Sequence, residues 1–253
     1  MKNYSQLPEA KMAVVRSDLD DVLATVFIES DLPDPRSLGN AYKDTGDGAI
    51  IVLPARQVAR LVDPLLGHLN DALGRYHRMR LASAPAIRLR ASVHVGPLTP
   101  DDHRGDAINE ACRLVDSQEA RQALAAAIAN SSFLAAVISE AAFRRTVSAG
   151  RTPSLDKRHF LKATARVLSK GGFEQPCRIF VPHVTPAEIS LHLTGRKEEA
   201  SPSQQTFDAQ PSENGPTAAL KPQSVVKQKA KAKGRARVVQ VGGNQITNKG
   251  ERS

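Results

Sequence analysis

The sequence predicts an α/β (α+β) protein, a sheet covered by helices on one face, followed by a tail with no core of its own. Three observations carry this. Apolar residues recur at helical spacing in several segments, short β-prone runs are interleaved with them, and all periodicity stops after about Gly195. A chain of 253 residues can bury a sizeable core.

The elements follow in order. Over residues 7–30, Met12, Val15, Leu19, Val22 and Val26 keep helical spacing, and Leu23 and Phe27 widen the stripe. DLPDPRSLGN is a loop rich in Pro, Asp and Gly. YKDTGDGAIIVLP (Tyr42 to Pro54) then reads as a hairpin around a Gly-Asp-Gly corner. A second helix is expected from Gln57 to Tyr76, with a kink or late start at Pro64. IRLRASVHV alternates, with Ile87, Leu89, Ala91, Val93 and Val95 on one side. GDAINEACRLVDS and QEARQALAAAIA read as helices, with Asp106 as the N-cap of the first. FLAAVIS is a strand and EAAFRRTVSA a helix, while FLKATARVLS and CRIFVP form a closing strand pair.

The net charge of +9 is unevenly spread: residues 196–253 hold 11 Lys/Arg against 5 Asp/Glu, and the body before them is nearly neutral. Residues 196–237 read as a disordered basic linker, and 238–253 as a short β-prone segment. Trp is absent and aromatic residues make up only 4%, which argues against base-stacking recognition of nucleic acid. A nucleic-acid-binding function driven by the tail ranks last. With no membrane-length apolar run and no apolar leader, the expected location is cytoplasmic, with no membrane association. Two distant cysteines without CxxC spacing make neither a disulfide framework nor a zinc site.

The order of elements is that of a ferredoxin-like βαββαβ core that begins at its first helix, lacking its first strand. Three short motifs fall in sequence along it. KDTGD carries Lys43 and Asp47 on the hairpin. RASVHVGPL ends a strand at Gly96. DDHRGDAINEACR places Asp102 in a loop, and Asn109 and Arg113 four apart on one helix face. Asp47 has two readings at this point. Asp beside Gly is a favoured turn, and a carboxylate there could also bind something.

Together, KxxGD, the VHVG strand end and GDxxNxxxR resemble the class III nucleotidyl (adenylate/guanylate) cyclase catalytic domain, of a divergent actinobacterial type, over roughly residues 7–182. The resemblance implies that Asp47 is a ligand for Mg²⁺ or Mn²⁺. It implies that Lys43 and Asp102 read the base, Asn109 orients the ribose and Arg113 offsets transition-state charge. Lys170 is the nearest candidate for the terminal phosphates. It implies a homodimer with composite sites, Asp47 of one copy facing Lys43, Asp102, Asn109 and Arg113 of the other, making cyclic AMP or another cyclic nucleotide from a nucleoside triphosphate. In the family a second metal-binding Asp sits on the first strand, which this sequence does not show. Either the natural start lies upstream, or the chain is an impaired or inactive relative with an exposed sheet edge. The alternative is a non-catalytic nucleotide-sensing or scaffolding module in bacterial signalling or conflict systems, whose basic tail recruits a partner of unknown kind.

Overall fold

Helix α1 (Glu9–Glu29) forms where the first apolar stripe was read, and buries Val15, Leu19, Val26 and Phe27. It belongs to a computed structural model that describes residues 1–98, 105–167 and 172–194. Asp102, Lys170 and the segments 196–237 and 238–253 lie outside the described residues. Strands β1 (Tyr42–Asp44) and β2 (Ala49–Ile51) pair antiparallel, as the hairpin reading requires. The helix expected over 57–76 breaks at Pro64 into α2 (Val58–Val62) and α3 (Leu65–Met79), since proline has no amide hydrogen to continue the ladder.

The rest of the chain runs β3 (Leu89–Val93), α4 (Asp106–Asp116), α5 (Gln118–Ala129), β4 (Leu134–Ser139), α6 (Glu140–Arg145), β5 (Leu161–Val167), β6 (Phe173–Phe180) and α7 (Pro186–Thr194). The closing strand pair, β5 and β6, is antiparallel as expected. Helix α7 was not anticipated. Its start is a reciprocal cap: the Thr185 amide donates to Glu188 Oε2 (2.8 Å) and the Glu188 amide donates to Thr185 Oγ1 (3.3 Å). Ile189 is its buried anchor.

The four-stranded sheet has the order β3-β4-β6-β5, with β3 parallel to β4 and the other pairs antiparallel. Here the expectation of helices on one face is corrected: both faces are covered. Leu134, Ala136 and Ile138 join the core formed with α1 and α3, while Ala135 joins that of α5 and α7, and Val137 that of α4. Every residue of β4 is buried, and from Leu134 to Ile138 the strand is a continuous apolar run with no polar phase. The hairpin stands apart as its own two-stranded sheet, and β3 is an edge strand of the larger one. Among the described residues, no helix is long and apolar enough to cross a membrane.

Candidate functional site

One buried side chain gathers much of the hairpin's polar attachment to α1. Arg16 falls inside the apolar stripe of α1 and is buried. Its Nη1 donates to the Gly48 carbonyl at 2.7 Å, and its Nη2 donates to Asp20 Oδ1 at 2.7 Å and to the Tyr42 hydroxyl. Its Nε is 3.5 Å from Asp44 Oδ2, an ion pair by distance whose angle makes no hydrogen bond. Tyr42 in turn donates to Asp20 Oδ1 (2.9 Å). Burial and then this bond push the Tyr42 hydroxyl pKa up to about 12, so it stays a donor throughout the physiological range.

This geometry separates the two readings of Asp47. The turn's own carboxylate bond comes from Asp44, whose Oδ1 accepts from the Gly46 amide at 2.7 Å. Gly46 sits at φ 85°, a left-handed conformation that favours glycine. The Asp47 carboxylate takes no part in closing the turn. It is 53% exposed and its polar neighbour is the Met1 amino nitrogen at 3.5 Å. Lys43, on β1, is exposed as well.

Asn109 and Arg113 lie on α4, one turn apart, Asn109 exposed and Arg113 half-buried. The Arg113 guanidinium rests 5.5 Å from the centroid of the Phe173 ring. Within one chain, no hydrogen bond or ion pair among the described residues joins Asp47 or Lys43 to Asn109 or Arg113. Asp106 is not the N-cap it was read as. Gly105, at φ 104°, holds the cap position, and Asp106 is the first helical residue, with its charge near the helix's positive end. A non-glycine residue would be strained at Gly105, so the cap went to the residue free to turn.

The VHVG strand end has a packing reason. A Cβ on Gly96 would come within 2.7 Å of the Ala107 Cβ and 3.0 Å of His94 Nε2, so glycine lets the end of β3 approach α4. His94, read as a packing residue, is mostly that: its Nδ1 is buried without a partner, and its Nε2 is 3.4 Å from Glu110 Oε2. Burial pulls its pKa down and Glu110 offsets this only in part.

Metal chemistry of the kind the resemblance implies needs converging carboxylates. Among the described residues no group of three or more His, Cys, Asp or Glu side chains is placed to hold an ion. On the hairpin, Asp44 is occupied by Gly46 and Arg16. The described side chains therefore do not fit a two-metal site, and Asp47 is an exposed carboxylate beside the Met1 amino group. No known family, curated protein or solved structure matches the chain.

Two measurements check this arrangement. Arg16→Met leaves Asp20, Asp44 and the Gly48 carbonyl without their shared donor, and urea unfolding should show a loss of about 2–4 kcal/mol. A change within about 0.5 kcal/mol would show that the hairpin is held by something else. Because the folded-state pKa of His94 is depressed, its contribution to stability is complete above the unfolded value of about 6.5 and is lost as pH falls through the folded one. Thermal melts should therefore fall as pH drops below about 6.5, less steeply in His94→Gln. Part of the slope should remain, since His77 is depressed too. An unchanged slope in the variant would refute the assignment.

Proposed function

We propose that the chain is a nucleotidyl cyclase-like domain that binds a nucleoside triphosphate across two copies of itself, with cyclase activity impaired. The carrying observation is the division of the candidate residues. Asp47 and Lys43 are on the hairpin and Asn109 and Arg113 are on α4, all four at least partly exposed and none joined to a member of the other pair within one chain. A composite site in a homodimer needs such residues to be reachable from outside and unspent on each other. The core would be ferredoxin-like, with the hairpin and β3 flanking the place that such a core gives its first strand.

The residue types suit the reaction. Cyclic nucleotide formation has the 3′-hydroxyl attack the α-phosphorus while pyrophosphate leaves, and a guanidinium such as Arg113 can offset charge on the transferring group. Asn109 would orient the ribose, Lys43 and Asp102 would read the base, and Lys170 would contact the terminal phosphates. The Mg²⁺ or Mn²⁺ pair that such chemistry uses does not fit the described carboxylates, hence the impairment. That same shortage favours a second reading, a non-catalytic nucleotide-sensing or scaffolding module in bacterial signalling.

Mass spectrometry of protein incubated with Mn²⁺ and each of the four ribonucleoside triphosphates tests the impairment. The expected result is triphosphate recovered intact, or a trace of cyclic product that disappears in Asp47→Ala. Abundant cyclic product lost in that variant would overturn the impairment and establish an active cyclase.

A further inference from the structure

The corner where α3 ends is basic and apolar at once. Residues 72–100 hold five arginines and two histidines and no Asp or Glu. Met79 is the last residue of α3 and Leu81 lies just past it. They are the two most exposed large apolar side chains among the described residues, at 84% and 76%. Side chains uncovered to that degree protrude.

The backbone holds Leu81 outward. Its carbonyl accepts from the Ala84 amide at 2.9 Å, which closes a tight turn. Arg80 staples the same turn, donating Nη1 to the carbonyls of Leu81 (3.3 Å) and Ala84. Lys11 of α1 ties in from the side, with Nζ donating to the Ser83 carbonyl at 2.9 Å. Ala82 and Ser83 are small and exposed, so the turn does not shield the apolar pair.

The positive charge here is uncompensated. Arg80 bonds two carbonyls and His77 Nδ1 (3.3 Å), Arg88 stacks 3.9 Å from the Phe133 ring centroid, and Arg78 is exposed. The carboxylates of the adjoining α1 are engaged elsewhere: Asp18 accepts from the Tyr76 hydroxyl at 3.0 Å, and Glu29 is 3.7 Å from Arg75. Among the described residues no ion pair joins an acid to Lys11, Arg78, Arg80 or Arg88. Burial pulls the pKa of His77 down, and Arg80, Arg88 and Arg78 lower it further with no carboxylate opposing them. A guanidinium bonded to neutral partners keeps its charge, so it attracts anions over about a Debye length, roughly 10 Å, without a free donor. The negative end of α3, about half a unit charge, offsets only a fraction.

We propose that this corner docks the protein on an anionic lipid surface, with Met79 and Leu81 entering the acyl boundary and Lys11, Arg78 and Arg80 at the level of the headgroup phosphates. An apolar pair protruding from a ring of cations asks for a partner soft enough to be entered and negative at its rim. A folded acidic protein would need a matching hole, and nucleic acid has no apolar layer to enter. The expectation of no membrane association rests on the lack of a spanning run and a leader, and neither bears on a surface contact.

The chain has no Trp, so Leu81→Trp gives the full chain a single reporter at the tip. On vesicles of phosphatidylcholine and phosphatidylglycerol its emission should shift to the blue and be quenched by brominated acyl chains. Adding Met79→Ser should raise the lipid concentration at half-shift about tenfold, and adding Arg78→Gln about fivefold. All three positions are exposed, so the fold tolerates the changes. Such vesicles also attract the basic residues after 195 by charge alone, and the reporter separates the two contacts. Co-sedimentation with unshifted, unquenched emission would overturn the proposal, as would an equal shift on pure phosphatidylcholine. So would a blue shift produced without lipid by polyglutamate, by RNA or by raising the protein concentration, which would assign the corner to an acidic protein, a nucleic acid or a second copy.

Discussion

The buried guanidinium of Arg16 is the constraint on which the candidate site depends. A two-stranded hairpin of three-residue strands has little stability of its own, and this one has no neighbour in the larger sheet. Its place is set by what it can attach to, and Arg16 offers Tyr42 and Asp44 on one strand, Gly48 before the other, and Asp20 on its own helix. Because Asp44 supplies the turn's carboxylate bond, Asp47 is released from conformational duty and held outward. The same economy operates at the other half of the site. Gly105 supplies the turn into α4 and Gly96 allows its close approach to β3, so Asn109 and Arg113 stay on a helix whose position is fixed by packing.

Much of the fold was legible because its elements have strong local signatures. The stripe of α1, the break at Pro64, the alternation of β3 and the closing pair β5 and β6 all follow from spacing and from the chemistry of single residues. What could not be read was how many faces the sheet buries. FLAAVIS is apolar up to its final Ser139, and such a run does not say whether one neighbour or two will cover it; β4 turns out to be covered on both faces. Helix α7 escaped because its apolar pattern is short, although Thr185 and Glu188 are spaced as a capping box.

The site was legible in its parts more than in its supports. Lys43, Asp47, Asn109 and Arg113 were singled out from motif spacing, and each sits on the element expected of it. Arg16 was passed over, yet a signal existed. It occupies an interior position of the stripe, four after Met12 and three before Leu19, where a charge must find partners, and Asp20 follows one turn later. Arg88 and Arg90 were likewise read as the polar phase of an alternating strand. In a sheet covered on both sides that phase is not left bare: Arg90 and Ser92 lie against α4. The missed face and the missed arginines thus have one origin.

The account stands on a triphosphate site that needs Arg113 on α4 as well as the hairpin. Equilibrium binding of a fluorescent adenosine or guanosine triphosphate analogue to the full chain tests this most directly, with Arg113→Ala and Asn109→Ala alongside. The account predicts saturable binding that drops about tenfold or more without the Arg113 guanidinium, as expected when a phosphate loses a charge-assisted donor. Absence of binding to the unmodified chain, or binding indifferent to both substitutions, would contradict it.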